Sequence, residues 1–194
     1  MIRSVGIDEV GRGCWAGPLV AGAVLLQDPI HGLADSKKLT ASRRTVLSVQ
    51  LHQEAIVSLG WVSNDELDRV GLSEAVRLAM GRALDGIKAE YDEVIIDGSY
   101  NFLPHVAGTR AVIRADGTIP CVSGASIVAK VARDTYMYSQ ATEYPLYGFD
   151  SHVGYGTQKH RDALDLYGVT PLHRTSFKPI RQLIARQKTG GTHG

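Results

Sequence analysis

Two cysteines in 194 residues, Cys14 and Cys121, show no paired metal-ligand spacing, which excludes a disulfide scaffold and a cysteine zinc site. No run approaches the roughly 18 apolar residues of a bilayer-spanning helix, because charges or glycines interrupt every candidate. The opening segment Met1-Ile2-Arg3-Ser4-Val5-Gly6-Ile7-Asp8-Glu9 lacks the long apolar core and cleavage site of a signal peptide. The expectation is a cytoplasmic protein with no membrane partner. An excess of one charge is missing too: 21 Lys and Arg stand against 20 Asp and Glu, a net charge of +1. Bulk electrostatic attraction to nucleic acid therefore does not define the chain, although locally segregated charge still can. Internal repeats, a long linker and a nucleophile–base triad are equally absent.

What remains has the balance of an ordinary globular domain, with 44% hydrophobic and 21% charged residues. β-rich apolar runs predict strands over 2–8 and 18–27, separated by a bend at Gly11, Gly13 and Gly17. Thr40 is the expected N-cap of a helix over 41–55, and a strand over 56–62 leads to helix caps at Ser63 and Asn64. Leu72, Ala75, Val76, Ala79, Met80, Ala83 and Leu84 recur at helical spacing after Gly71. Val94-Ile95-Ile96 reads as a strand buried on both faces, and Ala111–Arg114 as a fifth strand. A long helix over 122–142 and two more over 157–167 and 178–187 complete a single domain spanning 1–187, with residues 188–194 expected to be a disordered tail. Strands first and alternation afterwards predict an α/β mixed sheet whose early strands are antiparallel.

Three strand-to-loop junctions deliver carboxylates: Asp8-Glu9 before Gly-Arg-Gly, Asp97 after the run 94–96, and Asp116 after the run 111–114. Each has a plain alternative, a solvated acidic pair in the first case and an Asp-Gly turn in the others. Neighbours on a regular strand face opposite ways, so Asp8 and Glu9 would need a bulge or turn to reach one point. If the four converge, each close pair costs roughly 3 kcal/mol at about 5 Å and an effective dielectric near 20. A divalent cation with oxygen ligands, Mg²⁺ or Mn²⁺, relieves that cost. Two such ions would clamp the attacking and leaving oxygens of a phosphodiester. Lys37 and Lys38, beside a helix start, suit phosphate or are a solvated pair. Gly11-Arg12-Gly13 offers backbone groups free of Cβ, which can read a 2′-hydroxyl. Tyr155, between two glycines, is either a stacking platform or a half-buried core tyrosine. His152, His160 and His173 read as surface histidines.

Together the blocks Gly6–Gly13, Ala16-Gly17-Pro18, Asp35–Leu39, Ala125–Asp134, Gly154–Thr157 with His160, and His173-Arg174 with Ser176-Phe177 resemble the ribonuclease HII family, in family order over nearly the whole chain. The resemblance implies an RNase H-like fold, a central five-stranded mixed sheet flanked by helices with a C-terminal helical region. It implies a monomeric endonuclease that cuts the RNA strand of RNA–DNA hybrids and incises 5′ of single ribonucleotides in duplex DNA, leaving 3′-hydroxyl and 5′-phosphate ends. Asp8, Glu9, Asp97 and Asp116 match that family's metal-binding carboxylates, with two ions, Mg²⁺ or Mn²⁺, in the active complex. Gly11, Arg12 and Gly13 match its ribose-reading loop, Lys37 and Lys38 its phosphate grip, and Tyr155 its junction-stacking tyrosine. The chain departs from the pattern at Arg114-Ala115-Asp116, where Lys-Gly-Asp is usual, at Val153 in place of a lysine, and at Cys14-Trp15 in place of Pro-Leu. A non-catalytic hybrid-binding module and a two-metal phosphatase acting on small esters are the rival readings.

Overall fold

A computed structural model describes residues 2–190. Five strands form one mixed sheet: β1 (Ser4–Val10), β2 (Leu19–Leu26), β3 (Ala55–Val62), β4 (Glu93–Asp97) and β5 (Thr109–Val112), in the order β3-β2-β1-β4-β5. β1–β2 and β2–β3 are antiparallel, while β1–β4 and β4–β5 are parallel. The helices are α1 (Ala41–Glu54), α2 (Asn64–Val70), α3 (Leu72–Asp85), α4 (Pro120–Glu143), α5 (Phe149–His152), α6 (Gln158–Tyr167) and α7 (Lys178–Gly190). None is long and apolar enough to cross a membrane. Thr40 and Ser63 cap as expected, each side-chain oxygen accepting from a backbone N–H three residues on, Arg43 and Glu66 respectively. α7 runs through Gly190, three residues into the expected tail. The rest of that tail, 191–194, lies outside the described residues.

Alternation along the strands sorts the sheet into two faces. Val5, Ile7, Leu19, Ala21, Ala23, Leu25, Val94 and Ile96 bury one face against Ala75, Val76, Ala79, Met80 and Ala83 of α3. The other face carries Gly6, Asp8, Gly22, Val24, Ile95 and Asp97, and receives the first turns of α4. A Cβ on Gly6 would lie 2.2 Å from the backbone carbon of Cys121, and one on Gly22 would lie 2.4 Å from the carbonyl of Ala125. Helix and sheet therefore meet backbone to backbone just behind Asp8. Gly6→Ala is expected to cost on the order of 3 kcal/mol, since α4 itself would have to move. A denaturant titration checks this, and an unchanged midpoint would contradict the close approach. A second apolar cluster, Met137, Tyr147, Phe149, Ala163, Leu164, Leu172 and Ile180, joins the far end of α4 to α5, α6 and α7.

The fifth strand ends two residues earlier than expected. β5 pairs with β4 from Thr109 to Val112, and Arg114 then adopts a left-handed backbone (φ 59°). That reversal starts the 3₁₀ turn Ala115–Gly117, which folds Asp116 back toward the sheet.

Candidate active site

Parallel pairing of β1 with β4 places Ile7 opposite Ile96, so the next residues, Asp8 and Asp97, leave adjacent strand ends on the same face. The turn after Arg114 brings Asp116 to that face. One carboxylate oxygen from each of Asp8, Asp97 and Asp116 lies within 4.8 Å of the others. The Asp116 N–H donates to Asp97 Oδ1 at 3.3 Å, and Ser123 Oγ of α4 donates to the Asp116 carbonyl at 2.6 Å. The usual glycine at 115 is dispensable here, because the positive φ falls on Arg114 and not on Ala115.

No bulge re-aims the first acidic pair: the β1–β2 register continues unbroken through Asp8↔Gly22, Glu9↔Ala21 and Val10↔Val20. Glu9 accordingly stands on the opposite side of the strand from Asp8 and outside the three-carboxylate cluster. It remains close enough for the Asp97 charge to raise its pKa, after burial, while Arg12 at 3.5 Å lowers it.

Asp8 is almost fully buried, and its pKa is pushed up to about 8, by burial first and then by the charges of Glu9, Asp97 and Asp116. A hydrogen bond from Ser126 opposes that rise. Ser126 sits one helical turn after Ser123, so the small-residue start of α4 sends two hydroxyls to the acidic cluster. Its Oγ also meets Ser36 Oγ at 2.8 Å, which fixes the turn carrying Lys37 and Lys38. In the sequence Ser126 stands only as part of the Ala125–Asp134 block; two serines three residues apart at the start of α4 are the local sign of its role. Burial and then Asp97 raise Asp116 as well, against the pull of Lys37, whose Nζ lies 3.9 Å away. Asp97 and Asp116 line a cleft of about 340 Å³ together with Lys37, Lys38 and Arg114.

On the other flank, Arg12 stands over the Phe102 ring at 5.8 Å and lines a larger cleft of about 670 Å³ with Gly71, Ser73 and Tyr100. Gly11 (φ 89°) is packed directly against the Arg133 side chain, whereas Gly13 has open space around it. Tyr155 is 40% exposed, while burial and the adjoining Cys14 push its hydroxyl up to about 12. Cys14 is fully buried and its thiol is raised by that burial, which makes it a poor nucleophile. Trp15 is half-buried over the C-terminal apolar cluster.

The three histidines are not on the surface. His152, His160 and His173 are buried together; His152 stacks on His160 at 4.5 Å, and His160 Nε2 meets His173 Nε2 at 3.0 Å. Their partners determine the protons. His173 Nδ1 accepts from the Thr170 N–H at 2.8 Å, so its Nε2–H donates to His160. His160 then donates Nδ1–H to the Tyr155 carbonyl at 3.0 Å. Burial lowers His160 and His173 to about 4, keeping both neutral. No local pattern marks this chain of contacts, which joins α6 to the loop before Arg174.

A family model described as ribonuclease HII matches residues 5–180. A protein named ribonuclease HII from Sphingopyxis alaskensis is 46% identical, over 92% of this chain and 90% of its own length. One of the same name from Dichelobacter nodosus is 44% identical, over 94% and 98%. Among solved structures, the ribonuclease H2 of Pyrococcus horikoshii OT3 superposes with a TM-score of 0.81 at 25% identity, covering 96% of this chain and 99% of that one.

Proposed function

Because the chain belongs to the ribonuclease HII family, we propose that it is an endoribonuclease that hydrolyses the RNA strand of RNA–DNA hybrids and incises 5′ of single ribonucleotides in duplex DNA. The products would be 3′-hydroxyl and 5′-phosphate ends, and the task ribonucleotide removal from DNA in the cytoplasm. The convergence of Asp8, Asp97 and Asp116 within 4.8 Å carries this reading. Three mutually repelling carboxylates at the mouth of a sheet are an all-oxygen donor set, which fits a hard divalent cation. Asp8, Asp97 and Asp116 would hold one such ion, Mg²⁺ or Mn²⁺, and Glu9, outside their cluster but near enough to feel the Asp97 charge, would join them in holding a second. When bound, the ions supply the acidity that turns water into hydroxide and the positive charge that a departing 3′-oxygen requires.

The chain's own groups do the rest. Ser126 holds the Asp8 carboxyl in one orientation, and the Asp116 N–H does the same for Asp97. Lys37 and Lys38, on the exposed turn anchored by Ser36, bind the phosphates on one side of the carboxylates. Gly11, Arg12 and Gly13 present backbone donors and acceptors to a 2′-hydroxyl on the other side. Tyr155, 40% exposed, offers its ring to the sugar that follows.

Duplex DNA carrying one ribonucleotide, incubated with Mg²⁺, Mn²⁺ or chelator beside all-DNA and all-RNA duplexes, tests the reading. The expected result is a metal-dependent cut 5′ of the ribonucleotide and none in either control. Measurable binding without cleavage under both metals would replace the enzyme with a hybrid-binding module. Hydrolysis of a small phosphate ester with no duplex cleavage would replace it with a phosphatase.

A further inference from the structure

Three backbone segments meet beside the Gly11-Arg12-Gly13 loop. Trp15 N–H donates to the Gly154 carbonyl at 2.8 Å, Arg174 N–H to the Trp15 carbonyl at 2.8 Å, and Gly17 N–H to the Leu172 carbonyl at 2.9 Å. Ala16 and His173 form a single antiparallel bridge. Under this joint lies Arg133 of α4, completely buried. Its Nε donates to the Pro18 carbonyl at 2.9 Å, Nη2 to Ala16 at 3.0 Å and Nη1 to Val153 at 2.8 Å. One rigid guanidinium thus spans the loop after Gly11-Arg12-Gly13 and the loop before Tyr155.

The second loop is strained where the guanidinium grips it. Val153 has φ 44° and ψ 36°, a left-handed backbone that a β-branched residue seldom adopts. Such a conformation persists only where the surroundings impose it. Arg133 holds the carbonyl of Val153, and the His173–His160 chain holds that of Tyr155.

We propose that Arg133 is a positioning residue that fixes the distance between the glycine loop and Tyr155, and so sets the preference for a lone ribonucleotide over a continuous RNA strand. This rests on the reading in which the glycine loop contacts the ribose and Tyr155 the next sugar. A lone ribonucleotide in DNA offers one register to a two-point reader. A continuous RNA strand offers a 2′-hydroxyl at every step and tolerates a misplaced pair of contacts. Loosening the joint therefore penalises the first substrate more.

Arg133→Lys keeps the charge but cannot reach three carbonyls with one ammonium group. The ratio of kcat/KM on a single-ribonucleotide duplex to that on a long hybrid is expected to fall roughly 10- to 100-fold, with kcat on the hybrid little changed. Tyr155→Ala is measured in parallel, and the double variant is expected to be no worse in this ratio than Tyr155→Ala alone. A folded Arg133→Lys that loses both activities equally, or whose effect adds to that of Tyr155→Ala, overturns the proposal and makes Arg133 structural only. If Arg133→Lys does not fold, Gly156→Ala decides. Its new methyl would stand 2.2 Å from the Trp15 ring, displacing the joint without removing a buried donor. An unchanged ratio in that variant is equally fatal. A Tyr155→Ala that leaves the ratio unchanged defeats the stacking reading itself, and the positioning role falls with it.

Discussion

Asp97→Asn is expected to lower turnover on an RNA–DNA hybrid by roughly 10³-fold or more while leaving the protein at least as stable as before. The side chain keeps its shape, and its remaining oxygen can still accept the Asp116 N–H that now bonds Oδ1 at 3.3 Å. What disappears is one negative charge from the centre of the cluster. That charge raises the pKa of Asp8, Glu9 and Asp116 alike, so its removal relieves repulsion in the metal-free protein. Melting of the chelated variant should accordingly occur at or above the parent temperature, while the rise on adding Mg²⁺ or Mn²⁺ shrinks. Paired cleavage and melting assays check both halves. Full activity would remove Asp97 from the site, and a collapse in melting temperature would make it a structural residue.

The second large effect is a stability maximum of the metal-free protein near pH 6.5, with a decline on both sides. His160 and His173 are depressed to about 4 from an ordinary 6.5, so between these values the unfolded chain binds two protons that the folded one refuses. Asp8, raised to about 8 from 3.8, makes the folded state bind one proton that the unfolded chain releases. Below pH 6.5 the histidines outnumber it, and stability climbs with pH. From pH 6.5 to 8 the histidine contribution is complete while that of Asp8 continues, and stability falls by about 1–2 kcal/mol. Above pH 8 its contribution is constant. A divalent cation binds the ionised cluster, so Mg²⁺ should remove the alkaline decline and stabilise more at pH 8.5 than at pH 6. Asp8→Asn should abolish the decline without metal, so that its gain in melting temperature over the parent is larger at pH 8 than at pH 6. Calorimetric melts from pH 4 to 9, with chelator and with metal, provide the measurement. Stability that rises steadily through pH 8 without metal would contradict a crowded carboxylate site.

Local physics made much of the fold legible. Thr40 and Ser63 announced helix starts because a cap is a contact over three residues, and Val94-Ile95-Ile96 announced a buried strand by composition alone. Asp97 and Asp116 were readable as strand-end carboxylates for the same reason. Their meeting with Asp8 depends on the parallel register of β1 and β4, which no window of sequence contains. The left-handed turn at Arg114 was hidden because arginine gives no local sign of it. Gly6 and Gly22 carry no local sign of the helix backbone that they admit. His160, His173 and Arg133 were the least legible. Polar residues at scattered positions read as surface, and only tertiary closure surrounds them with each other and with backbone carbonyls.

The strand order carries a consequence for synthesis. β1 is made before the other four strands and is the middle of the finished sheet, and its parallel partner begins 89 residues later, at Glu93. While the ribosome is still producing the segment between them, β1, β2 and β3 can already form an antiparallel unit with one side of β1 unpaired and its apolar residues uncovered. A nascent chain halted near residue 90 is thus a sticky intermediate with an open edge, carrying only Asp8 of the three clustered carboxylates. It lacks Asp97 and Asp116, so the three-carboxylate cluster does not yet exist. The cluster is assembled late and all at once, when Asp116 folds back and α4 covers the sheet.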